Sequence, residues 1–158
     1  PWINVSLYFA HPRKIVIANM HMDANMLKRE KLVYPDLSYA INGGLFEVAN
    51  SLPFGLPEKD YQRALAIVLA EKGLQFQREV YIPILFKGKI VSKYFADFIV
   101  EGKALIELKV APTLGYAHAR QVLTYLRAKQ LKLGIIAYFT KDGVQCRRVL
   151  NSLVAEKD

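Results

Sequence analysis

Cysteine is almost absent from this 158-residue chain, with Cys146 the only one. A single thiol excludes an intramolecular disulfide framework and a cysteine-based zinc site. Histidine is nearly as scarce, at three residues. His11 and His21 have no acidic or cysteine cluster beside them and read as solvated side chains rather than metal ligands. No apolar run approaches the roughly 18 residues of a transmembrane helix. No segment repeats, and none is of low complexity. The rest is ordinary for a globular protein: 53% of residues are hydrophobic and 23% charged. That composition excludes an intrinsically disordered chain and suffices for one domain with a real core. The expectation is a soluble, intracellular (cytoplasmic) protein with no membrane partner.

Acidic residues are the scarcer charge, 14 against 22 basic, for a net +8. The first 55 residues hold 5 basic and 4 acidic side chains, so +7 of the excess belongs to the remainder. A basic surface attracts phosphate backbones or anionic membranes. Charge alone leaves nucleic acid and no polyanion partner on an equal footing.

The chain opens on Pro1, and Met20, Met22 and Met26 sit close together, so a natural start in that window is one expectation. The run V-S-L-Y-F-A near the start is too short, and too poorly flanked, for a secretory signal. Residues 1–35 are expected to form an N-terminal arm or extra strand, residues 36–150 the domain, and residues 151–158 a tail that frays.

From Asp36, placed to cap a helix after Pro35, the residues Leu37, Ala40, Ile41, Gly44, Leu45 and Val48 trace one helix face. Gly44 on that stripe predicts close approach of another element. S-L-P-F-G breaks the pattern. A second helix is predicted from Pro57 to Lys72, with Pro57 at its first position, Gly73 at its C-terminal cap and a stripe of Tyr61, Ala64, Leu65, Val68 and Leu69. Strands follow over 79–86, 90–100 and 104–110. Short K-G-K and E-G-K turns separate them, which implies antiparallel hairpins. Pro83 places the first of these at an edge or a bulge. A third helix fits Gly115 to Gln130, with Ala119, Val122, Leu123 and Leu126 on its stripe. A buried strand (133–139), a K-D-G turn and a last strand (144–150) complete the pattern. The fold class is α/β: a mixed central sheet of about five strands flanked by helices, in the order α-βββ-α-ββ.

Asp97 lies in an otherwise apolar strand, where an unpaired carboxylate would cost several kcal/mol. Centring the E-G-K hairpin on Gly102 sets Asp97 opposite Glu107, with Cβ atoms about 5 Å apart. Two like charges so close need a proton or a cation between them, and an oxygen-liganded Mg²⁺ or Mn²⁺ answers that need. Lys109 projects on the same side. The bland alternative is a solvent-facing strand in which Glu107 simply pairs with Lys109. On the third helix His118, Gln121 and Tyr125 fall at i, i+3 and i+7, with Lys129 continuing the row. Taken singly, His118 and Lys129 read as a solvated flank. Glu58 and Tyr61 share the first turn of the second helix. A helix-dipole carboxylate and an ordinary core tyrosine are their structural readings.

The ordered set of Asp97, then E-L-K (107–109), then Q-V-L-T-Y (121–125) resembles the PD-(D/E)XK nuclease superfamily. Its Q-x-x-x-Y element resembles the RecB-like branch, and G-L-P-E-K-D-Y (55–61) resembles the motif of the GxxExxY family within it. The resemblance covers about residues 36–150. No proline precedes Asp97, where Ala96 stands instead. The resemblance implies a restriction-endonuclease-like core and a divalent-metal-dependent nuclease acting on nucleic acid, most plainly DNA, through metal-activated water. It implies Asp97, Glu107 and the Leu108 carbonyl as ligands of Mg²⁺ (or Mn²⁺), with Glu58 holding a metal-bound water or a second metal. Lys109 would orient the attacking water or stabilise the charged phosphorane. Gln121 would position substrate or water, and Tyr125 would contact a phosphate or brace the site. Glu47, in G-G-L-F-E, competes with Glu58 for the helical acid.

Lys87, Lys89, Lys93, Arg120, Arg127 and Lys132 are the candidate sequence-independent phosphate contacts. A homodimer could complete the substrate groove. The competing function is a catalytically silent nucleic-acid-binding or assembly module on the same fold.

Overall fold

Proline decides where the first two helices begin. The computed structural model describes residues 7–11, 14–16, 32–111 and 117–158. In it α1 spans Pro35–Ser51 and α2 spans Glu58–Glu71. Pro35 opens α1, because its missing N–H costs nothing in the first turn. The cap therefore falls on Tyr34, in the left-handed region at φ 47°, and not on Asp36 as expected. Asp36 instead places its charge in the positive first turn. Pro57 likewise stands one position before the helix rather than inside it. At the other end of α2 the Leu74 N–H bonds the Leu69 carbonyl at 3.0 Å and the Gly73 N–H bonds that of Ala70 at 2.9 Å. This pair of bonds is the Schellman closure that Gly73 predicted.

The strands are β1 (Leu7–His11), β2 (Lys14–Val16), β3 (Phe76–Phe86), β4 (Lys89–Val100), β5 (Ala104–Val110), β6 (Leu133–Thr140) and β7 (Gly143–Leu150), with α3 (Ala117–Lys129) between β5 and β6. They form one sheet in the order β2-β1-β7-β6-β5-β4-β3. Five of these strands, β3 to β7, are those expected from the sequence. The first two extend the sheet beyond β7. Among the described residues only the β5–β6 pair is parallel, and α3 supplies its crossover. Pro83 does lie in an edge strand, and the β3–β4 ladder shifts register between Ile84 and Leu85. His21, Met20, Met22 and Met26 lie outside the described residues, as does Gly115, the expected start of the third helix. Among the described residues no helix is long and apolar enough to cross a membrane.

The sheet separates two apolar layers. Ile41, Leu45 and Val48 of α1 and Leu65 and Leu69 of α2 cover one face over Phe98, Ile106 and Leu108. Val122, Tyr125 and Leu126 of α3 cover the other over Leu105, Ile136 and Tyr138. Gly44 is where the two covering helices meet, since a Cβ there would lie 3.3 Å from Val68 Cγ1. Cys146 is buried in this core, and burial pushes its thiol up to about 12, which leaves it inert as a nucleophile. Two hydrogen bonds tie the tail to the domain: the buried Asn151 side chain donates to the Leu131 carbonyl at 3.2 Å, and the Lys157 N–H bonds the Tyr34 hydroxyl at 2.5 Å.

Gly134 governs the α3 layer. A Cβ at this position would stand 2.6 Å from Val122 Cγ1 and 3.2 Å from Leu126 Cδ1, so α3 rests directly on the β6 backbone. Gly134→Ala should therefore destabilise the fold by about 1–3 kcal/mol through overpacking. Urea unfolding measures the loss, and an unchanged midpoint would mean that α3 can lift off β6 without cost.

Candidate active site

The hairpin between β4 and β5 pairs Val100 with Ala104, Ile99 with Leu105 and Phe98 with Ile106. Its centre is therefore Gly102, as the sequence predicts. The ladder stops one pair short of Asp97 and Glu107. On the other side of β4 the rungs pass from Arg78↔Phe98 to Val80↔Ala96, with Glu79 between them at φ 49°. Ala96 packs with the α3 layer and Phe98 with the α1/α2 layer, so the two-residue alternation breaks at Asp97. The Asp97 carboxylate takes the place of the missing ladder bonds. Its Oδ2 accepts the Leu108 N–H at 2.7 Å, and its Oδ1 accepts the Gln62 side-chain amide at 2.7 Å.

Gln62 was not singled out in the sequence. Its signal is its position four residues after Glu58, on the same helix face. It is buried, as a polar side chain can be only with a partner.

Glu107 is 6% exposed. Its Oε2 stands 3.4 Å from the Lys109 ammonium, and its Oε1 is buried with no hydrogen-bond partner. Burial, then the neighbouring Asp97, push the Glu107 carboxyl up to about 7. Burial also raises Asp97, against the Leu108 N–H and Lys109. For Lys109 burial pulls downward, but Glu107, Glu58 and Asp97 together outweigh it and hold the ammonium above its ordinary value. The centre is thus a fixed cation among three acids.

The G-L-P-E-K-D-Y segment delivers one of those acids. Gly55 turns the chain at φ 99°, a conformation that carries no Cβ penalty only for glycine. The Tyr61 hydroxyl ties down this turn by donating to the Pro53 carbonyl at 2.6 Å, while its ring stacks on Phe139 at 4.3 Å. Tyr61 is therefore the core residue its structural reading expected. Between them Glu58 starts α2 and brings Oε1 to 3.9 Å from the Lys109 ammonium. Glu47 pairs instead with Lys72 at 3.7 Å, at the far end of α2 from Glu58, about 20 Å away at 1.5 Å per residue.

From α3, Gln121 and Tyr125 border a cleft of about 320 Å³ together with Tyr94, His118 and Thr124. The buried Tyr125 ring leans on Tyr94 at 5.1 Å, and its hydroxyl is paired with Gln121. His118 Nδ1 lies 3.2 Å from the Tyr138 hydroxyl, and burial followed by Lys109 lowers its pKa. Lys129, at the other end of α3, does not line the cleft.

The six candidate phosphate contacts divide. Lys87, Lys89 and Lys93 lie on the β3–β4 hairpin, and Arg120 lies near the start of α3. Arg127 falls in the last turn of α3, and Lys132 precedes β6. Leu133 pairs with Ala104 and Tyr138 with Lys109, which puts Lys132 roughly 20 Å along the sheet from the lysine of the site.

The donor set fits a hard cation. Among the described residues nothing satisfies the buried Glu107 Oε1, and each Asp97 oxygen accepts one bond. Among the described residues no three His, Cys, Asp or Glu side chains gather at ligand spacing. Two carboxylates and the Leu108 carbonyl would thus be completed by water and phosphate, the manner in which Mg²⁺ is commonly held.

No curated protein matches the chain. Among solved structures, the crystal structure of SSO0001 is similar over 59% of this chain and 49% of its own length, at 24% identity and a TM-score of 0.49. The chain thus spans about half of that protein. The model of the PD-(D/E)XK nuclease superfamily matches residues 35–149. That span runs from the start of α1 into β7 and takes in every residue that meets at the bend in β4. With its restriction-endonuclease-like α/β fold and most of its length inside the match, the chain belongs to the PD-(D/E)XK nuclease superfamily.

Proposed function

We propose that the protein hydrolyses phosphodiester bonds of DNA in a divalent-metal-dependent reaction centred on Asp97 and Glu107. The observation that carries this reading is the buried, unsatisfied Glu107 Oε1 beside a second carboxylate and a lysine. A structural ion pair would leave no oxygen orphaned, because an unmet buried acceptor costs about 1–3 kcal/mol. Asp97, Glu107 and the Leu108 carbonyl would hold Mg²⁺ or Mn²⁺, which supplies an activated water and neutralises charge on the phosphate oxygens.

The chain's own residues do the rest. Gln62 and the Leu108 N–H fix the Asp97 carboxylate. Lys109 directs its ammonium at the attacking water and at the charge that builds on the phosphorane. Glu58 holds that ammonium in place from α2 and accepts from water at the site. Gln121 positions substrate at the cleft, and the buried Tyr125 braces the wall behind it. A side chain so enclosed braces the site rather than reaching a phosphate.

Cleavage of DNA in Mg²⁺ or Mn²⁺ tests the proposal. Lys109→Met should slow cleavage by roughly 10²-fold or more. Calorimetric affinity for Mn²⁺ should be kept or improved in this variant, because a positive charge beside the ligands is removed. A protein that cuts no duplex, flapped, branched or single-stranded DNA overturns the proposal. Salt-sensitive binding without cleavage would identify the silent binding module instead.

A further inference from the structure

The β3–β4 hairpin outruns its sheet. The β4–β5 ladder ends at Phe98 and Ile106, yet β3 and β4 stay paired with each other out to Phe86 and Lys89. Lys89 is eight residues beyond Asp97 on the same strand, about 26 Å at ~3.3 Å per residue. One face of this ribbon, with Ile82, Ile84 and Tyr94, packs toward α3. The rest is bare: Leu85, Phe86, Ile90, Val91 and Phe95 are each between 51% and 63% exposed. Residues 80–96 contain three lysines, Lys87, Lys89 and Lys93, and no acidic residue. Lys87 folds over the Phe86 ring, 5.6 Å from its centre.

A solvated ribbon with this much apolar surface has a partner. Its charge says which kind. Two copies of an acid-free, triply positive ribbon repel each other, whereas a phosphate backbone attracts both. The shape narrows the choice further. Two strands about 4.8 Å apart, with their side chains, fit the ~12 Å major groove of B-form DNA. The A-form major groove of duplex RNA is too narrow and deep to admit it.

We propose that the tip of this ribbon, residues 85–91, enters the major groove of a B-form DNA duplex, with Lys87, Lys89 and Lys93 on the flanking phosphates and Phe86 and Ile90 against base edges and thymine methyls. This rests on the nuclease reading, because the ribbon extends from Asp97 and so reaches the duplex flanking the scissile phosphate. It makes the substrate double-stranded DNA, read beside the cut rather than at it.

Fluorescence anisotropy of the full chain on a two-turn DNA duplex (about 20 bp), in EDTA and at a series of salt concentrations, tests it. The Lys87→Ala/Lys89→Ala/Lys93→Ala variant should bind roughly tenfold or more weakly and flatten the log–log salt slope by about 2–3. Phe86→Ser/Ile90→Ser should weaken binding with the slope unchanged. An RNA duplex of the same sequence should bind less well, and the lysine changes should not lower its affinity by more than they lower that of DNA. If the wild type binds DNA and the lysine variant binds with the same affinity and slope, the ribbon proposal fails and the nuclease reading stands. Light scattering that shows a dimer lost in Phe86→Ser/Ile90→Ser would also overturn it, in favour of a second copy as occupant. A wild type that neither binds DNA nor cleaves it with Mg²⁺ ends both.

Discussion

Asp97→Asn should reduce DNA cleavage by about 10³-fold or more and remove calorimetric Mn²⁺ binding, while leaving the fold intact. The two halves of this expectation come from different contacts. The carboxylate accepts from two donors, the Leu108 N–H and the Gln62 amide. An asparagine would keep its oxygen on Leu108 and turn its amide toward Gln62, whose own side chain can rotate to present oxygen. No buried donor is left facing another. The variant loses one charge and with it the repulsion that helps raise Glu107. The metal-free variant should therefore melt no lower than wild type near pH 8. A preserved melting transition with no Mn²⁺ heat and no cleavage is the result that fits. Retained Mn²⁺ binding would show that Asp97 is a structural acceptor only. Cleavage within tenfold of wild type would remove it from the mechanism, since a lost cation-holding group is worth several kcal/mol of transition-state stabilisation.

The second large effect is on stability against pH. The Glu107 carboxyl stands at about 7 in the fold, against 4.5 as its ordinary value. A group whose folded pKa is raised contributes stability that is complete below its unfolded pKa and lost as pH rises through the folded one. In EDTA the contribution of this group should thus be full at and below about pH 4.5 and be lost as the pH rises from there through about 7. The raised Asp97 acts in the same direction. The displacement of Glu107 corresponds to about 3 kcal/mol at 1.36 kcal/mol per unit. Glu107→Gln should flatten the profile, because a neutral amide has no proton to lose. Added Mn²⁺ should restore stability at pH 8 and do little at pH 5, where protons compete for the ligands. Urea unfolding at a series of pH values, with and without metal, measures all three. A wild-type profile that stays flat from pH 5 to 8 would mean that Glu107 is not desolvated in solution.

Element order was legible because it depends on local signals. Apolar stripes at helical spacing, prolines at helix starts and glycine-bearing turns placed α1, α2, the three-strand unit, α3 and the last two strands within a few residues. The hairpin register was legible too. A three-residue turn fixes which residues face each other, and the ladder around Gly102 follows it. Asp97, Glu107 and Lys109 could be brought together on that basis, since all three lie within one hairpin. The cap of α1 was read two residues late and the start of α2 one residue early, because Pro35 enters its helix whereas Pro57 stops just before its own. The contacts of the tail were not legible, because their partners, Leu131 and Tyr34, are distant in sequence.

What the sequence determined by itself was therefore the chemistry present and its local arrangement: two acids and a lysine on one hairpin, in a basic chain with no thiol or histidine cluster to suggest another reaction. Tertiary structure alone sets Glu58 beside Lys109 and Glu47 beside Lys72, because the packing of α2 on the sheet brings the first pair together and the packing of α1 on α2 the second. It also decided the partnership of Gln62 with Asp97, the break in β4 that creates it, and the buried oxygen left over on Glu107. Residues distant along the chain meet only when the layers close, and a carboxylate is desolvated only by what packs around it. Neither the meeting nor the burial is written in the spacing of residues along one strand.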